Sequence, residues 1–276
     1  MDGSGKAILC LITIDSISLL NQPIPKIMTN FRQLLNEGER LLGTLVSIAS
    51  AQSVEILSQA GFDWLFIDGE HAPLSDGDIQ CIVQAAAPLP CLVRVHSLDE
   101  IAIKKALDSG ANGIIVPQVN TAEQAAQAVA YAKYPPMGQR GVGIARAQGY
   151  GFAFQEYIQQ ANDNVVVVVQ AEHAQAVENI EAIAATPGVD AVFIGPYDLS
   201  ASLGKMGQLD DPVVVAAVDR ISEACLTAGV KLGVFSTSSE AALPYIQRGF
   251  TLITAGTDTL LLGQAGRDMA ERLKQA

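Results

Sequence analysis

Basic residues and cysteines are both scarce in this 276-residue chain. Lysine and arginine total 17 against 29 aspartates and glutamates, which gives a formal net charge of −12. A chain this acidic repels phosphodiester backbones and anionic lipid, so we expect neither nucleic acid nor a membrane surface as a partner. The cysteines form no Cys-x-x-Cys pair, and three of them (Cys81, Cys91 and Cys225) lie in apolar helix or strand patterns. We expect buried free thiols in a reducing, cytoplasmic compartment.

The chain also lacks a hydrophobic run long enough to span a bilayer. Residues 7–20 are apolar, but the segment is short and Asp15 interrupts it. It has neither the basic flank nor the small-residue cleavage site of a secretory signal. We predict that residues 1–27 are an N-terminal extension of unknown role and that residues 28–276 form one domain, with Met28 as an alternative start.

Several common catalytic and nucleotide-binding motifs are missing as well. The sequence has no P-loop and no G-x-G-x-x-G fingerprint, so ATP and NAD receive no support. No Ser–His–Asp or Cys–His arrangement can be placed, and no predicted strand ends on a lysine that could form a Schiff base. Phe235-Ser236-Thr237 and Gly256-Thr257 occupy phosphate-binding positions of a barrel, but neither stretch is Gly-rich.

What the sequence does contain is a repeated strand–helix alternation. Runs such as Val165–Val169 and Ala191–Ile194 have no polar alternation, which is typical of parallel strands buried on both faces. Gly61, Gly110, Gly188 and Gly249 each follow a helical stretch and precede a strand, as helix C-caps do. The predicted strands are 42–48, 64–68, 91–95, 113–117, 165–170, 191–195, 231–235 and 251–255. The predicted helices are 52–60, 76–86, 98–109, 121–133, 174–185, 211–228, 238–247 and 259–274. Eight such pairs predict a (β/α)8 TIM barrel.

The longest interruption of this alternation runs from residue 134 to about 164. A connection of that length is usually functional or mobile. It precedes a strand, however, and must cross toward the N-terminal ends of the strands. We therefore give it less catalytic weight than residues that follow strands.

Two acidic residues follow neighbouring predicted strands. Glu172 comes directly after the valine run, and Asp198 follows Phe-Ile-Gly-Pro-Tyr. In an α/β barrel both would lie at the C-terminal mouth, where such folds carry their chemistry. Two carboxylates suit Mg²⁺ or Mn²⁺, which keep open positions for substrate oxygens. The alternative is that each carboxylate caps or begins a helix; we favour the metal because the two occur as a pair.

Three further residues of the predicted mouth have side chains suited to catalysis. His71 is the candidate general base, and Asp68 three residues earlier could orient its ring. Arg94 lies in an otherwise apolar strand and needs an anionic partner, either a substrate or a structural carboxylate. His173 is a rival ligand or base that we expect to begin a helix and point away, and His96 is undecided.

These residues lie in motifs that resemble the HpcH/HpaI aldolase family, the metal-dependent class II pyruvate aldolases. The resemblance covers about residues 31–273. Its motifs are Gly-Phe-Asp-Trp-Leu-Phe-Ile-Asp-Gly-Glu-His (61–71), Leu-Val-Arg (92–94), Tyr-Pro-Pro-x-Gly-x-Arg-Gly-Val-Gly (134–143), Gln-x-Glu (170–172) and Phe-Ile-Gly-Pro-x-Asp-Leu-Ser-x-Ser-Leu-Gly (193–204). It implies a modified barrel that exchanges its last helix between paired subunits of a hexamer, a trimer of dimers. It also implies a divalent cation, Mg²⁺ in first place, with Mn²⁺, Co²⁺ or Zn²⁺ as alternatives.

The same resemblance assigns roles to individual positions. It makes Glu172 and Asp198 metal ligands, His71 the base with Asp68 beside it, and Arg94 the residue that faces the keto oxygen. Pyruvate would be bound by a set that adds the following positions: Gln170, Gly195, Pro196 and Tyr197, with Asp198. Two residues depart from the family pattern, since Tyr197 stands where a small residue is common and Phe235 stands where an aliphatic wall residue is expected.

The predicted function is that of a carbon–carbon lyase that reversibly cleaves 4-hydroxy-2-oxo acids to pyruvate and an aldehyde through a metal-stabilised enolate. One alternative uses the same enolate in oxaloacetate decarboxylation, as macrophomate-synthase-like relatives do. Another is a citrate-lyase-like enzyme, which the lack of a basic patch for CoA phosphates disfavours. A third is a non-catalytic barrel that binds 2-oxo acids, although pure binding needs no base.

Overall fold

The computed structural model describes residues 30–275 of the chain, and within them eight parallel strands close into a barrel. Each strand pairs with the next in sequence, and β8 returns to β1. The strands are β1 (Leu41–Val46), β2 (Trp64–Asp68), β3 (Cys91–Arg94), β4 (Gly113–Val116), β5 (Val166–Ala171), β6 (Ala191–Ile194), β7 (Lys231–Ser236) and β8 (Leu252–Thr257). The predicted TIM barrel is confirmed, with strand bounds within a few residues of those expected.

Helices surround the barrel in the described part of the chain. They are α1 (Phe31–Glu37), α2 (Ala51–Ser58), α3 (Asp76–Ala86), α4 (Glu100–Asp108), α5 (Ala122–Ala132), α6 (Phe154–Asn164), α7 (Ala174–Glu178), α8 (Ile180–Ala184), α9 (Pro196–Ser202), α10 (Pro212–Ala228), α11 (Ser239–Gln247) and α12 (Asp258–Lys274). All four predicted glycine caps have positive φ, between 89° at Gly249 and 95° at Gly110. This is the left-handed conformation that glycine adopts without a Cβ penalty.

Three helical features outside the 134–164 segment differ from the sequence prediction. The helix expected over 174–185 is two short helices, α7 and α8, which meet at Asn179. Helix α1 was not predicted; the Asn30 side chain caps its first turn, and Phe31 and Leu35 are buried. Residues 196–202 form a helix where only a loop was expected, so Asp198 lies in its first turn.

The segment from 134 to 164 is not one long loop. It contains a 3-10 turn (Arg146–Gly151) followed by α6. Arg140 anchors it: the guanidinium is fully buried, lies 4.7 Å from the Tyr134 ring centre, and bonds Asp108 at 2.7 Å. Asp108 ends α4, just before β4 begins. The segment therefore lies at the N-terminal end of the barrel, as predicted, away from the C-terminal mouth.

The barrel interior is filled by aromatic and aliphatic side chains from alternate strand positions. Trp64 packs on Phe66 with ring centres 6.1 Å apart, and Phe66 meets Phe193 edge-to-face at 5.6 Å. Glycine makes room for these rings: a Cβ at Gly43 would lie 2.6 Å from the Trp64 indole. A second apolar cluster lies between the strands and the outer helices. The interior cluster forms a rigid floor beneath the C-terminal mouth.

One carboxylate joins the last strand to the first. Asp258, which is buried at the start of α12, accepts hydrogen bonds from the Ser47 backbone N–H at 2.9 Å, the Ser47 hydroxyl at 2.7 Å and the Ile48 N–H at 2.8 Å. These bonds hold the end of β1 against the end of β8. They close the β1–β8 side of the mouth with a satisfied acidic group.

Three remaining sequence predictions concern the cysteines, membrane-spanning helices and the N-terminal extension. Cys91 and Cys225 are buried, but Cys81 is exposed on α3, which corrects the expectation that all three are buried. Among residues 30–275, no helix is long and apolar enough to cross a membrane. The predicted extension, residues 1–27, lies outside the described residues, as does Met28.

Candidate active site at the C-terminal mouth of the barrel

The predicted site residues gather around one cavity of about 140 Å³ at the C-terminal mouth. Its wall residues lie on or just after six of the strands, namely β1, β2, β3, β5, β6 and β7. They are Leu45, Phe66, His71, Arg94, Gln170, Phe193, Gly195, Pro196, Tyr197, Asp198 and Phe235. Asp68 and Glu172 lie directly behind this wall, bonded to Arg94 and Gln170 respectively. The structure thus brings together residues as distant in sequence as Leu45 and Phe235, which are 190 positions apart (235 − 45).

A buried ion-pair network holds Arg94. Two of its guanidinium nitrogens, Nη2 and Nε, donate to Asp68 Oδ1 at 2.8 and 3.0 Å, and Nη1 lies 3.2 Å from Glu70 Oε2. The guanidinium also lies over the Phe66 ring, 5.2 Å from its centre. The structural ion pair that the sequence left open is therefore present. Because Arg94 still lines the cavity, the network fixes a cation at its wall.

The environment of His71 differs from the prediction in one respect. Asp68 was expected to orient the imidazole, but its Oδ1 instead accepts the backbone N–H groups of Glu70 and His71, at 3.1 and 3.2 Å. The carboxylate within 4 Å of the ring is that of Glu70, with Nε2 and Oε2 3.8 Å apart. Asp68 therefore shapes the turn that carries His71, while the ring itself is 67% exposed and open to the cavity.

Two donors fix the carboxylate of Glu172. The Gln118 backbone N–H donates to Oε1 at 2.9 Å, and the Gln170 side-chain amide donates to Oε2 at 2.6 Å. Gln118 has φ of +55°, an uncommon left-handed conformation for a residue other than glycine, and this conformation accompanies the bond of its N–H to Glu172. The Gly195 backbone packs closely against the same carboxylate, since a Cβ at Gly195 would lie 2.8 Å from Glu172 Oε2.

The electrostatics of this corner favour a bound cation. Burial raises the pKa of Glu172 to about 7, and the negative charges of Asp198 and Glu70 act in the same direction, against the Gln118 amide and Arg94. Burial likewise raises the pKa of Glu70, against Arg94 and His71. Both shifts arise chiefly from burial, which disfavours the charged carboxylate unless a cation is bound nearby.

The donor set fits a hard divalent ion. Gln170 Oε1 is buried without a hydrogen-bond partner and is free to accept from a ligand or water. Among residues 30–275, no three His, Cys, Asp or Glu side chains are clustered closely enough to hold an ion unaided. A cation here would depend on the two carboxylates of Glu172 and Asp198 and take its other ligands from water or substrate.

The sequence did not predict the roles of two residues in this site. Glu70 completes the pairing of Arg94, and the Gln118 amide orients Glu172. The motif Asp-Gly-Glu-His offered a signal for Glu70, whereas nothing in the sequence signals the φ of Gln118. The rival His173 caps α7, with Nδ1 accepting the Gln175 N–H at 3.1 Å, as expected for a structural role. His96 is exposed, bonds Ser97, and does not line this cavity.

A parallel eight-stranded barrel with paired carboxylates and a buried arginine at its mouth is the design of an α/β-barrel enzyme. A family model described as HpcH/HpaI aldolase/citrate lyase matches residues 42–265. The chain therefore belongs to the HpcH/HpaI aldolase/citrate lyase family, and the resemblance drawn from its motifs is confirmed.

Individual relatives agree over almost the whole chain. The chain is 42% identical over 242 residues to the hydroxypyruvate/pyruvate aldolase of Chromohalobacter salexigens, covering 86% of this chain and 95% of that protein. It is 40% identical over 251 residues to the 4-hydroxy-2-oxovalerate aldolase of Rhodococcus jostii, covering 90% and 97%. The crystal structure of a family member from Burkholderia cenocepacia superposes with a TM-score of 0.86 at 39% identity, covering 89% of this chain and all of that one. These matches confirm the prediction of an aldolase-type carbon–carbon lyase.

Proposed function

We propose that this protein reversibly cleaves 4-hydroxy-2-oxo acids to pyruvate and an aldehyde, with the chemistry at the Glu172–Asp198 corner of the cavity. The names of its relatives support the reaction class. The observation that carries the proposal for the site is the buried Glu172 carboxylate, whose raised pKa and fixed orientation leave it short of a positive partner. Asp198 provides the second carboxylate on the same side of the cavity.

A divalent cation, Mg²⁺ in first place, held by Glu172 and Asp198 would supply the Lewis acidity that makes the C3 protons of a 2-oxo acid labile. Mn²⁺, Co²⁺ and Zn²⁺ are alternatives. The chain's own residues orient the substrate. Gln170 Oε1 accepts a hydrogen bond, and the backbone of Gly195, Pro196 and Tyr197 borders the space for the substrate carboxylate. Arg94, held rigid by two carboxylates, faces the keto oxygen.

Cleavage then follows from the position of His71. Its imidazole, directly or through a water, takes the proton of the C4 hydroxyl group. The C3–C4 bond breaks, the aldehyde leaves, and the electron pair becomes the enolate, whose oxygen is stabilised by Arg94. The imidazolium returns its proton to C3 to give pyruvate. The Glu70 carboxylate lies beside the ring, with Oε2 3.8 Å from His71 Nε2.

The test is exchange of the pyruvate methyl protons in deuterated water, followed by proton NMR. We expect exchange with Mg²⁺ or Mn²⁺, loss of exchange with EDTA, and loss in His71→Ala. The matched control is His96→Ala, which removes an exposed histidine outside the cavity and should retain exchange. An enzyme that exchanges pyruvate equally well in His71→Ala would contradict the assigned base. Absence of exchange with every divalent metal tested would favour a non-catalytic binding barrel.

The oligomeric state belongs to the same proposal. We expect a hexamer, a trimer of dimers, in which α12 is exchanged between paired subunits. In support, α12 contacts its own barrel through β1 and β8, while a row of its apolar side chains is exposed: Leu260, Leu261, Leu262, Met269 and Leu273. Exposed apolar surface of this extent marks an interaction site. Light scattering coupled to size-exclusion chromatography measures the state directly, and a monomer at micromolar concentration would contradict it.

A further inference from the structure

The cavity continues beyond the positions that bind pyruvate. The Glu172–Asp198 corner, Arg94 and His71 account for one part of its wall. The rest is lined mainly by aromatic and aliphatic side chains, among them Tyr197 after β6, Phe235 on β7 and Leu45 on β1. Tyr197 is 46% exposed, so its ring is available to a ligand. Phe235 packs against the interior cluster, which fixes its ring as part of the wall.

This part of the cavity carries no free positive charge. Arg94 is the one lysine or arginine that lines the cavity in the described part of the chain, and its guanidinium already binds Asp68 and Glu70. The charged group that closes the adjacent β1–β8 side is Asp258, an acid satisfied by three hydrogen bonds to Ser47 and Ile48. A second carboxylate on the substrate would therefore meet aromatic and aliphatic carbon, with no unpaired lysine or arginine of the described residues to neutralise it.

We infer that Tyr197, Phe235 and Leu45 form an aldehyde subsite that selects uncharged, apolar aldehydes over aldehydes that carry a carboxylate. This inference rests on the proposed aldolase function and names its substrate class. Its physical basis is that a desolvated carboxylate without a cationic partner is strongly disfavoured, whereas an alkyl or aryl group gains contact with the two rings. The subsite thus excludes one class by an unpaired charge and attracts the other by apolar contact.

A matched pair of aldehydes tests the inference. 4-Methylpentanal and succinic semialdehyde have the same chain length and the same number of non-hydrogen atoms, and they differ in a terminal isopropyl group against a carboxylate. We expect kcat/KM for condensation with pyruvate to favour 4-methylpentanal by about tenfold or more. The product is quantified by liquid chromatography and mass spectrometry. An equal or reversed preference would overturn the inference. This holds whether the positive charge that pairs with the carboxylate of succinic semialdehyde belongs to this chain or to a second copy.

Substitutions in the wall should change the preference in a defined direction. Phe235→Lys adds a cation to the subsite, so the ratio of the two kcat/KM values should shift toward succinic semialdehyde, through the KM of each aldehyde. Tyr197→Ala removes one ring, so kcat/KM for 4-methylpentanal should fall further than kcat/KM for succinic semialdehyde. Using a ratio within each variant cancels any loss of folded enzyme. Phe152→Ala, which removes a fully exposed aromatic ring of the segment at the opposite end of the barrel, is the control and should leave the ratio unchanged. An unchanged ratio in both wall variants would overturn the assignment.

The failure of this inference can be told apart from failure of the proposed function. Exchange of the pyruvate methyl protons needs no aldehyde. A wild-type enzyme that exchanges pyruvate but prefers succinic semialdehyde keeps the proposed function and loses the apolar subsite. Absence of both exchange and condensation overturns both.

Discussion

Replacing Gly195 by alanine is the sharpest steric test of the metal site proposed at Glu172 and Asp198. Gly195 has φ of −96°, so alanine is compatible with the backbone and the perturbation is one methyl group. That group would lie 2.8 Å from Glu172 Oε2, 3.4 Å from Glu172 Cβ and 3.5 Å from the Gln170 amide nitrogen. The carboxylate cannot yield freely, because hydrogen bonds to Gln118 and Gln170 hold its two oxygens.

The size of the effect follows from this geometry. An ordinary carbon–oxygen contact begins near 3.4 Å, so the carboxylate must move by about 0.6 Å or give up one of its donors. Disturbing the groups that orient a metal ligand costs about 10- to 100-fold in metal affinity. This corresponds to about 1.4–2.8 kcal/mol of binding free energy. The affinity loss is expected without loss of the fold, since the methyl group meets side-chain atoms at the open mouth rather than the packed floor.

The measurement is titration of the protein with Mn²⁺, followed by calorimetry or by the electron paramagnetic resonance signal of free Mn²⁺. Gly143→Ala is the matched control, because a Cβ at Gly143 meets nothing within 4 Å and its segment lies at the far end of the barrel. Near-UV circular dichroism checks that both variants are folded. Equal Mn²⁺ affinities for folded Gly195→Ala and Gly143→Ala would refute the assignment of Glu172 as a ligand.

Three further substitutions probe the site, the fold and a buried charge. Arg94→Lys keeps the charge but cannot reproduce three-nitrogen pairing with two carboxylates, so kcat for cleavage should fall by about 100-fold or more in steady-state assays; a near-normal kcat would contradict its role. Gly233→Ala places a methyl group in the Phe193 ring, and urea unfolding should show a loss of about 1–3 kcal/mol; unchanged stability would contradict a rigid floor. Lys133 is fully buried and burial lowers its pKa to about 8, so the unfolded chain binds more protons between pH 8 and 10.5. The unfolding free energy of the wild type, measured relative to Lys133→Met, should therefore rise with pH across that range, by roughly 1–3 kcal/mol; a flat difference would contradict the shift.

The barrel could be predicted because its signals are local and repeated. The valine run before Gln170 can satisfy its backbone and bury both faces only in the middle of a parallel sheet. Glycines such as Gly110 mark helix ends wherever they recur. The pair Glu172 and Asp198 was also accessible, since chain order alone places residues after consecutive parallel strands at one rim of a barrel.

The rest depends on geometry that single residues do not encode. Helix α1 is seven residues long, too short for a periodic signal, although the Asn30 cap and Gly38 could have indicated it. Asp68 pairs with the Arg94 guanidinium rather than with the His71 imidazole, which only the three-dimensional register of β2 and β3 reveals. The left-handed Gln118 is set by tertiary contact with Glu172 rather than by its own preference.

The bond between Asp258 and Ser47 spans 211 positions of the chain. During translation, β1 therefore cannot pair with β8 until nearly the whole polypeptide has left the ribosome. Until then the nascent sheet has two unpaired edges, the form of β-structure most prone to aggregate. A polypeptide that ends before Leu252 would form an open sheet rather than a smaller enzyme. Folding of this protein therefore depends on completion of its final strand.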